Sequence, residues 1–202
     1  RSVADPHHWP LVWSPPQLAI SGDPPSTGCV DENAETLLCE YDGKLAVVHF
    51  RGSVLLYTRS NLSPLGGARH VQVATSADGV RRWSTFVQLT LEGYSHGPGD
   101  AENNIYYWTV RVLPAHPDVL VAFFPAVIEH VGGIYMASSS DGVHWTRPIR
   151  LLHSPHDLHF RTRDYPVDGQ LEAYDGGGDG VLLLTVQHRQ DMRVELVDDS
   201  GC

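Results

Sequence analysis

The chain has 202 residues, 42% of them hydrophobic and 19% charged, a balance that fits a folded domain with its own core and excludes a disordered one. Fourteen basic against 24 acidic residues give a formal net charge of −10, which excludes the basic footprint that duplex nucleic acid requires. No apolar run approaches the roughly 20 residues that cross a bilayer, so no membrane span is expected.

The head of the chain, residues 1–29, carries Pro6, Pro10, Pro15, Pro16, Pro24 and Pro25 and reads as a connection or rim strand. It opens on Arg1 with no leader-like apolar stretch, as expected of a processed or partial chain. Cys29 and Cys39 either bridge, if the chain doubles back between them, or stand as a free and a buried thiol. The third cysteine, Cys202, is the last residue.

From residue 30 onward the chain reads as short strands. Ala34–Glu40 is expected as an inner strand, Tyr41-Asp-Gly-Lys44 as a turn and Leu45–Arg51 as the second strand. Asp-Gly between apolar runs suits a hairpin, because a two-residue turn needs positive φ. Val71–Ser76, alternating and β-branched, is the third strand; Asp78-Gly79 turns the chain, and Ser84–Leu91 is the fourth. In the next stretch Ile105–Leu113 is expected as an inner strand and Pro114–Asp118 as a turn. Val119–Phe124, Ile134–Ser139 and Pro148–His153 complete that set. A third set begins with Gly169–Tyr174 and continues through Val181–His188 and Arg193–Val197. Sustained helical periodicity is absent throughout.

These sets repeat. Val71-Gln-Val-Ala-Thr-Ser-Ala-Asp-Gly-Val-Arg-Arg-Trp83 recurs as Ile134-Tyr-Met-Ala-Ser-Ser-Ser-Asp-Gly-Val-His-Trp145, which places Asp78 and Asp141 63 residues apart. Glu40-Tyr-Asp-Gly43 echoes in Ala173-Tyr-Asp-Gly176 at a separation of 133, and Glu32-Asn33 in Glu102-Asn103 at 70. Four-stranded repeats of this length predict an all-β propeller, with blades over residues 30–95, 100–155 and 160–202. Three blades do not close a ring. The chain is therefore expected to cover part of one, completed within a larger propeller, by a protein partner or by self-association.

Ser76-Ala-Asp-Gly-Val-Arg-Arg-Trp83 and Ser139-Ser-Asp-Gly-Val-His-Trp145 resemble the Ser-x-Asp-Gly-x-x-Trp turn of five-bladed glycoside hydrolases, the arabinanase and invertase-like propellers. They also resemble the Asp-box of sialidases, with the glycine shifted. The turn's Asp is expected to accept backbone hydrogen bonds and its Trp to pack between sheets, so Asp78, Asp141, Trp83 and Trp145 read as structural.

The resemblance implies an extracellular or lumenal protein that binds or cleaves a glycan, with carboxylates at the starts of the innermost strands. One such group protonates the leaving oxygen while another attacks the anomeric carbon or activates water. On that basis Glu32, Asp100, Glu102 and Asp164 are the catalytic candidates. His96, in the glycine-bracketed loop Tyr94–Asp100, together with Arg161, Arg163 and Trp108, are the candidates for substrate contact. Arg161 and Arg163 are expected to hold Asp164 ionised. The competing assignments are plain: solvated loop acids, a loop histidine, surface ion pairs, and a Trp108 that fills the core between blades. His153, His156 and His159 read as a polar loop, and neither a metal nor another cofactor is expected. The alternative function is a non-catalytic propeller module that binds a glycan or protein within a larger assembly.

Overall fold

The computed structural model describes residues 45–61, 69–79, 82–94, 103–156, 161–174 and 181–189, with backbone alone at 61, 168–174 and 181–183. All regular structure among them is β. The first sheet is an antiparallel meander of β1 (Ala46–Phe50), β2 (Ser53–Asn61), β3 (Arg69–Ser76) and β4 (Val87–Gln88), in that spatial order. A short β5 (Thr90–Leu91) follows. The second sheet begins with an inner strand in two pieces, β6 (Asn104–Ile105) and β7 (Thr109–Leu113), both paired with the long β8 (His116–Ile128). It continues through β9 (Val131–Ser139); β10 (His144–Trp145) intervenes in the chain, and β11 (Ile149–His153) closes the sheet on β9. The hairpin β12 (Asp164–Tyr174) and β13 (Val181–His188) starts a third.

The strands confirm the repeat read from the Asp-Gly turns. Ala46–Phe50 and Thr109–Leu113 lie 63 residues apart, the separation of Asp78 from Asp141. The fold is an all-β, partial propeller: two four-stranded blades, the second with a divided inner strand, and the opening hairpin of a third. Blades one and two are stitched by a parallel pair, with Thr90 opposite His144 and Leu91 opposite Trp145.

Several expectations change. β2 was not anticipated, and it pairs with Leu45–Arg51, whose core β1 is the first strand of the described sheet rather than the second. Leu55 through Ser60 are all buried, so no alternation marks them, and the preceding Arg51-Gly52 turn (φ 47° and 76°) lacks the Asp-Gly signature. The expected inner strand Ala34–Glu40 and its turn lie outside the described residues. Ser84–Leu91 divides into β4 and β5, which serve different sheets. The Pro114–Asp118 turn shortens, because β8 already starts at His116.

The core lies between blades one and two. Trp108 (1% exposed) stacks on Phe124 at 4.4 Å between ring centroids and meets Trp145 edge-on at 4.9 Å. Tyr57 packs on both tryptophans and donates its hydroxyl to the Gly142 carbonyl at 3.0 Å. That contact explains the glycine. Gly142 sits at φ 85°, and a Cβ there would fall 2.7 Å from Leu55 Cδ1 and 2.9 Å from Tyr57 Oη.

The two Asp-Gly turns share one wiring. Ser139 Oγ accepts the Asp141 and Gly142 N–H groups (3.2 and 2.8 Å) and donates to Asp141 Oδ1 (3.1 Å). Ser76 does the same for Asp78 and Gly79. Asp141 further accepts the N–H groups of Val143 and His144, both at 2.8 Å, and Trp145 is buried, as the sequence implied for this turn.

Candidate functional site

In the antiparallel meander the inner strands run in the same direction as β3 and β9, whose far ends carry the Asp-Gly turns. The starts of β7 and β12 therefore lie at the opposite end of the blades, where chemistry-bearing residues gather. The inner strand of blade two is interrupted at Tyr106-Tyr107-Trp108, between β6 and β7. Trp108 turns into the core, while Tyr106 and Tyr107 stay half-buried. Tyr107 stacks on Tyr165 of β12 (5.6 Å, 13° between planes) and donates its hydroxyl to the Pro166 carbonyl at 2.9 Å. Tyr106 meets Tyr107 and Tyr165 edge-on at 6.2 and 6.0 Å.

Blade one contributes cations to this cluster. The Arg59 guanidinium, from β2, lies 4.8 Å from the Tyr106 ring centroid and donates to the Tyr106 carbonyl at 3.1 Å. Arg69, from β3, approaches the same ring at 5.8 Å. Arg59 is 7% exposed, so its charge is felt at low screening.

Asp164 opens β12 directly opposite His188 of β13, and its Oδ1 is 2.7 Å from His188 Nδ1. Its side chain is largely covered while that of His188 is mostly exposed. Burial pushes the Asp164 carboxyl up, but hydrogen bonds from Ser154 and His188 and the His188 charge outweigh it and hold the group below its ordinary range. Ser154, fully buried, also accepts the Arg163 and Asp164 N–H groups (3.1 and 3.0 Å), which fixes the approach to the strand. The expectation that Arg161 and Arg163 hold Asp164 ionised is corrected, since Ser154 and His188 do so. Arg163 is exposed and contributes its backbone; Arg161 is half-buried, and its charge reaches Tyr165.

Of the other sequence candidates, Glu32, His96, Asp100 and Glu102 lie outside the described residues. Trp108 is described, and its enclosure places it with the core rather than on an open face. Sequence reasoning passed over Arg59, Tyr165 and His188. Among the described residues no three His, Cys, Asp or Glu side chains are grouped as a metal ion requires. His156 Nε2 lies 3.2 Å from the His130 carbonyl, and His159 is not among the described residues.

Stability at low pH follows from the carboxylates. Burial pushes the Asp141 carboxyl up, but N–H groups of His144 and Val143, the His144 ring and the Ser139 hydroxyl hold it well below the carboxylate range. A carboxyl lowered in the folded state stabilises above its unfolded value, 3.8, and loses that contribution as pH falls towards the folded value. Asp141→Asn is therefore expected to be destabilising at pH 6 and to show a shallower loss of stability below about pH 4 than the parent. Urea midpoints across that range check it, and parallel profiles would remove Asp141 from the acid response.

No protein-family model matches the sequence, and no curated protein does. Solved structures share its fold. An N-acetylgalactosamine deacetylase from F. plautii, in complex with blood group B trisaccharide, superposes with a TM-score of 0.50 at 18% identity, over 71% of this chain and 40% of that one. The GH93 α-L-arabinofuranosidase of Fusarium graminearum, in complex with arabinobiose, gives 0.46 at 17% identity, over 70% and 38%. The chain thus spans about two fifths of the length of these neighbours.

Proposed function

We propose that the chain is part of a glycosidase-like propeller that binds a glycan at the inner end of its blades. The observation that carries this is the convergence of Tyr106, Tyr107 and Tyr165 with Arg59, drawn from all three blades. Aromatic edges and faces pack on the apolar side of a sugar ring, while a guanidinium binds its hydroxyls. The deacetylase that shares the fold was solved with blood group B trisaccharide, which supports oligosaccharides as the class to test.

In this proposal Glu32, Asp100 and Glu102 supply the acid and nucleophile or base, with His96, Arg161 and Arg163 assisting substrate contact. Asp164 does not act as the proton donor, because it is held ionised and engaged with His188. The same engagement favours a second reading, a module that binds a glycan without cleaving it. An extracellular or lumenal setting and a ring completed by further chain or partner belong to this proposal as well.

Calorimetric titration of the chain with blood group B trisaccharide and arabinobiose tests the binding step. Tyr107→Ala removes the central ring and is expected to weaken binding about tenfold, roughly 1.4 kcal/mol. Binding unchanged in a folded Tyr107→Ala variant would place the glycan elsewhere.

A further inference from the structure

A cleft lies between the tail of blade one and the outer part of blade two. It encloses about 320 Å³ and is lined by Gly93, Tyr94, Glu129, Tyr135, Arg147 and Arg150 among others. That volume is at the lower end of ligand clefts, roughly 300–1,000 Å³. None of these residues belongs to the inner-end cluster.

Three features show that the cleft is built rather than left over. First, Glu129 and His130 form the two-residue turn between β8 and β9, with Ile128 paired to Val131, and both have positive φ (50° and 65°). Such turns are usually made by Asn-Gly or a similar pair, and two ordinary residues there are strained. Second, the strain is braced from outside: the Asn103 side-chain oxygen accepts the Glu129 N–H at 2.8 Å, and the His156 ring meets the His130 carbonyl. The turn thereby presents Glu129 at the cleft. Third, Gly93 has φ 69°, and a Cβ on it would stand 3.1 Å from Arg147 Nε, so the guanidinium lies against bare backbone.

The lining has a definite chemistry. Arg150 hydrogen-bonds the Tyr135 phenol, which also donates to the Val131 carbonyl at 2.8 Å. Burial first, and then Glu129, push that phenol up against the opposing pull of Arg150, so it remains a protonated hydroxyl. Two guanidinium groups, one carboxylate and two tyrosines in a half-apolar cleft match a ring that carries hydroxyls and one negative group.

We infer that this cleft is a ligand site for an acidic sugar, its oxyanion held by Arg147 and Arg150 and its hydroxyls by Glu129. The oxyanion could be a carboxylate or a sulfate, and the sugar ring is what separates such a ligand from a free inorganic anion. Titration of the chain with glucuronate, glucose 6-sulfate, glucose and inorganic sulfate tests this. At least one acidic sugar is expected to bind about tenfold tighter than either glucose or inorganic sulfate, and which of the two identifies the oxyanion. Arg147→Gln is expected to cost that acidic sugar about tenfold in affinity. Glu129→Gly, which relieves the positive φ, is expected to melt at a higher temperature while binding the sugar more weakly. No acidic-sugar binding by the folded parent, unchanged binding in both variants, or inorganic sulfate binding as tightly as either acidic sugar would overturn the inference.

Discussion

Trp108→Ala is expected to lower stability by about 3–5 kcal/mol, the range for deleting a large buried aromatic side chain. The ring is 1% exposed, stacks on Phe124, and meets both Tyr57 and Trp145, so it joins the two blades rather than serving one. The loss should appear as a fall in melting temperature of roughly 10 °C, at about 2–4 °C per kcal/mol for a chain of this size. Trp108→Phe should cost less. It keeps an aromatic face on Phe124 and removes an indole N–H that has no hydrogen-bond partner among the described residues. Thermal melts of the two variants check the order; an alanine variant as stable as the phenylalanine one would mean that Trp108 is not the joint between blades.

If the proposed glycosidase-like function holds with Glu102 as its acid or base, Glu102→Gln is expected to reduce glycan turnover by about 10²–10⁴-fold. Glutamine keeps the shape of the side chain and removes only its titration, so binding should survive while kcat falls. Glu102 directly precedes Asn103, whose side chain braces the Glu129 turn, and Asn104 begins the inner strand of blade two. Glu32→Gln is expected to act in the same direction. The 63-residue strand repeat tempers the pairing of these two, since their separation of 70 is out of that register. Asp164→Asn should be milder, because it loses the hold on His188 rather than a proton donor. Steady-state kinetics of the parent and the variants give the comparison. Unchanged turnover in both glutamate variants would leave the non-catalytic reading.

Much of the architecture was legible because the repeat is written in turn chemistry. The Asp-Gly turns at 78–79 and 141–142 need positive φ and a serine two residues earlier, and both requirements are visible as residues. β2 was not legible: a strand buried on both faces has no alternation, and Arg51-Gly52 is a weak turn signal. The Glu129-His130 turn was invisible for the same reason, since its conformation is imposed by braces from Asn103 and His156. Asp164 was expected ahead of a strand starting at Gly169 but opens β12 itself, and its partner was sought among sequence neighbours. The true partner, His188, is brought opposite only by the β12–β13 register. Arg59 was passed over because it lies in the strand that was missed. Nothing in the run Tyr106-Tyr107-Trp108 marked the interruption of the inner strand, nor which of its rings the fold takes into the core.

The most direct test of a glycan site at the inner end is calorimetric titration of the chain with blood group B trisaccharide and arabinobiose, run beside Tyr107→Ala. Saturable binding of one of them by the parent, about tenfold weaker in the variant, is the predicted result. Failure of the folded parent to bind either saccharide, or equal binding by parent and variant, would contradict it.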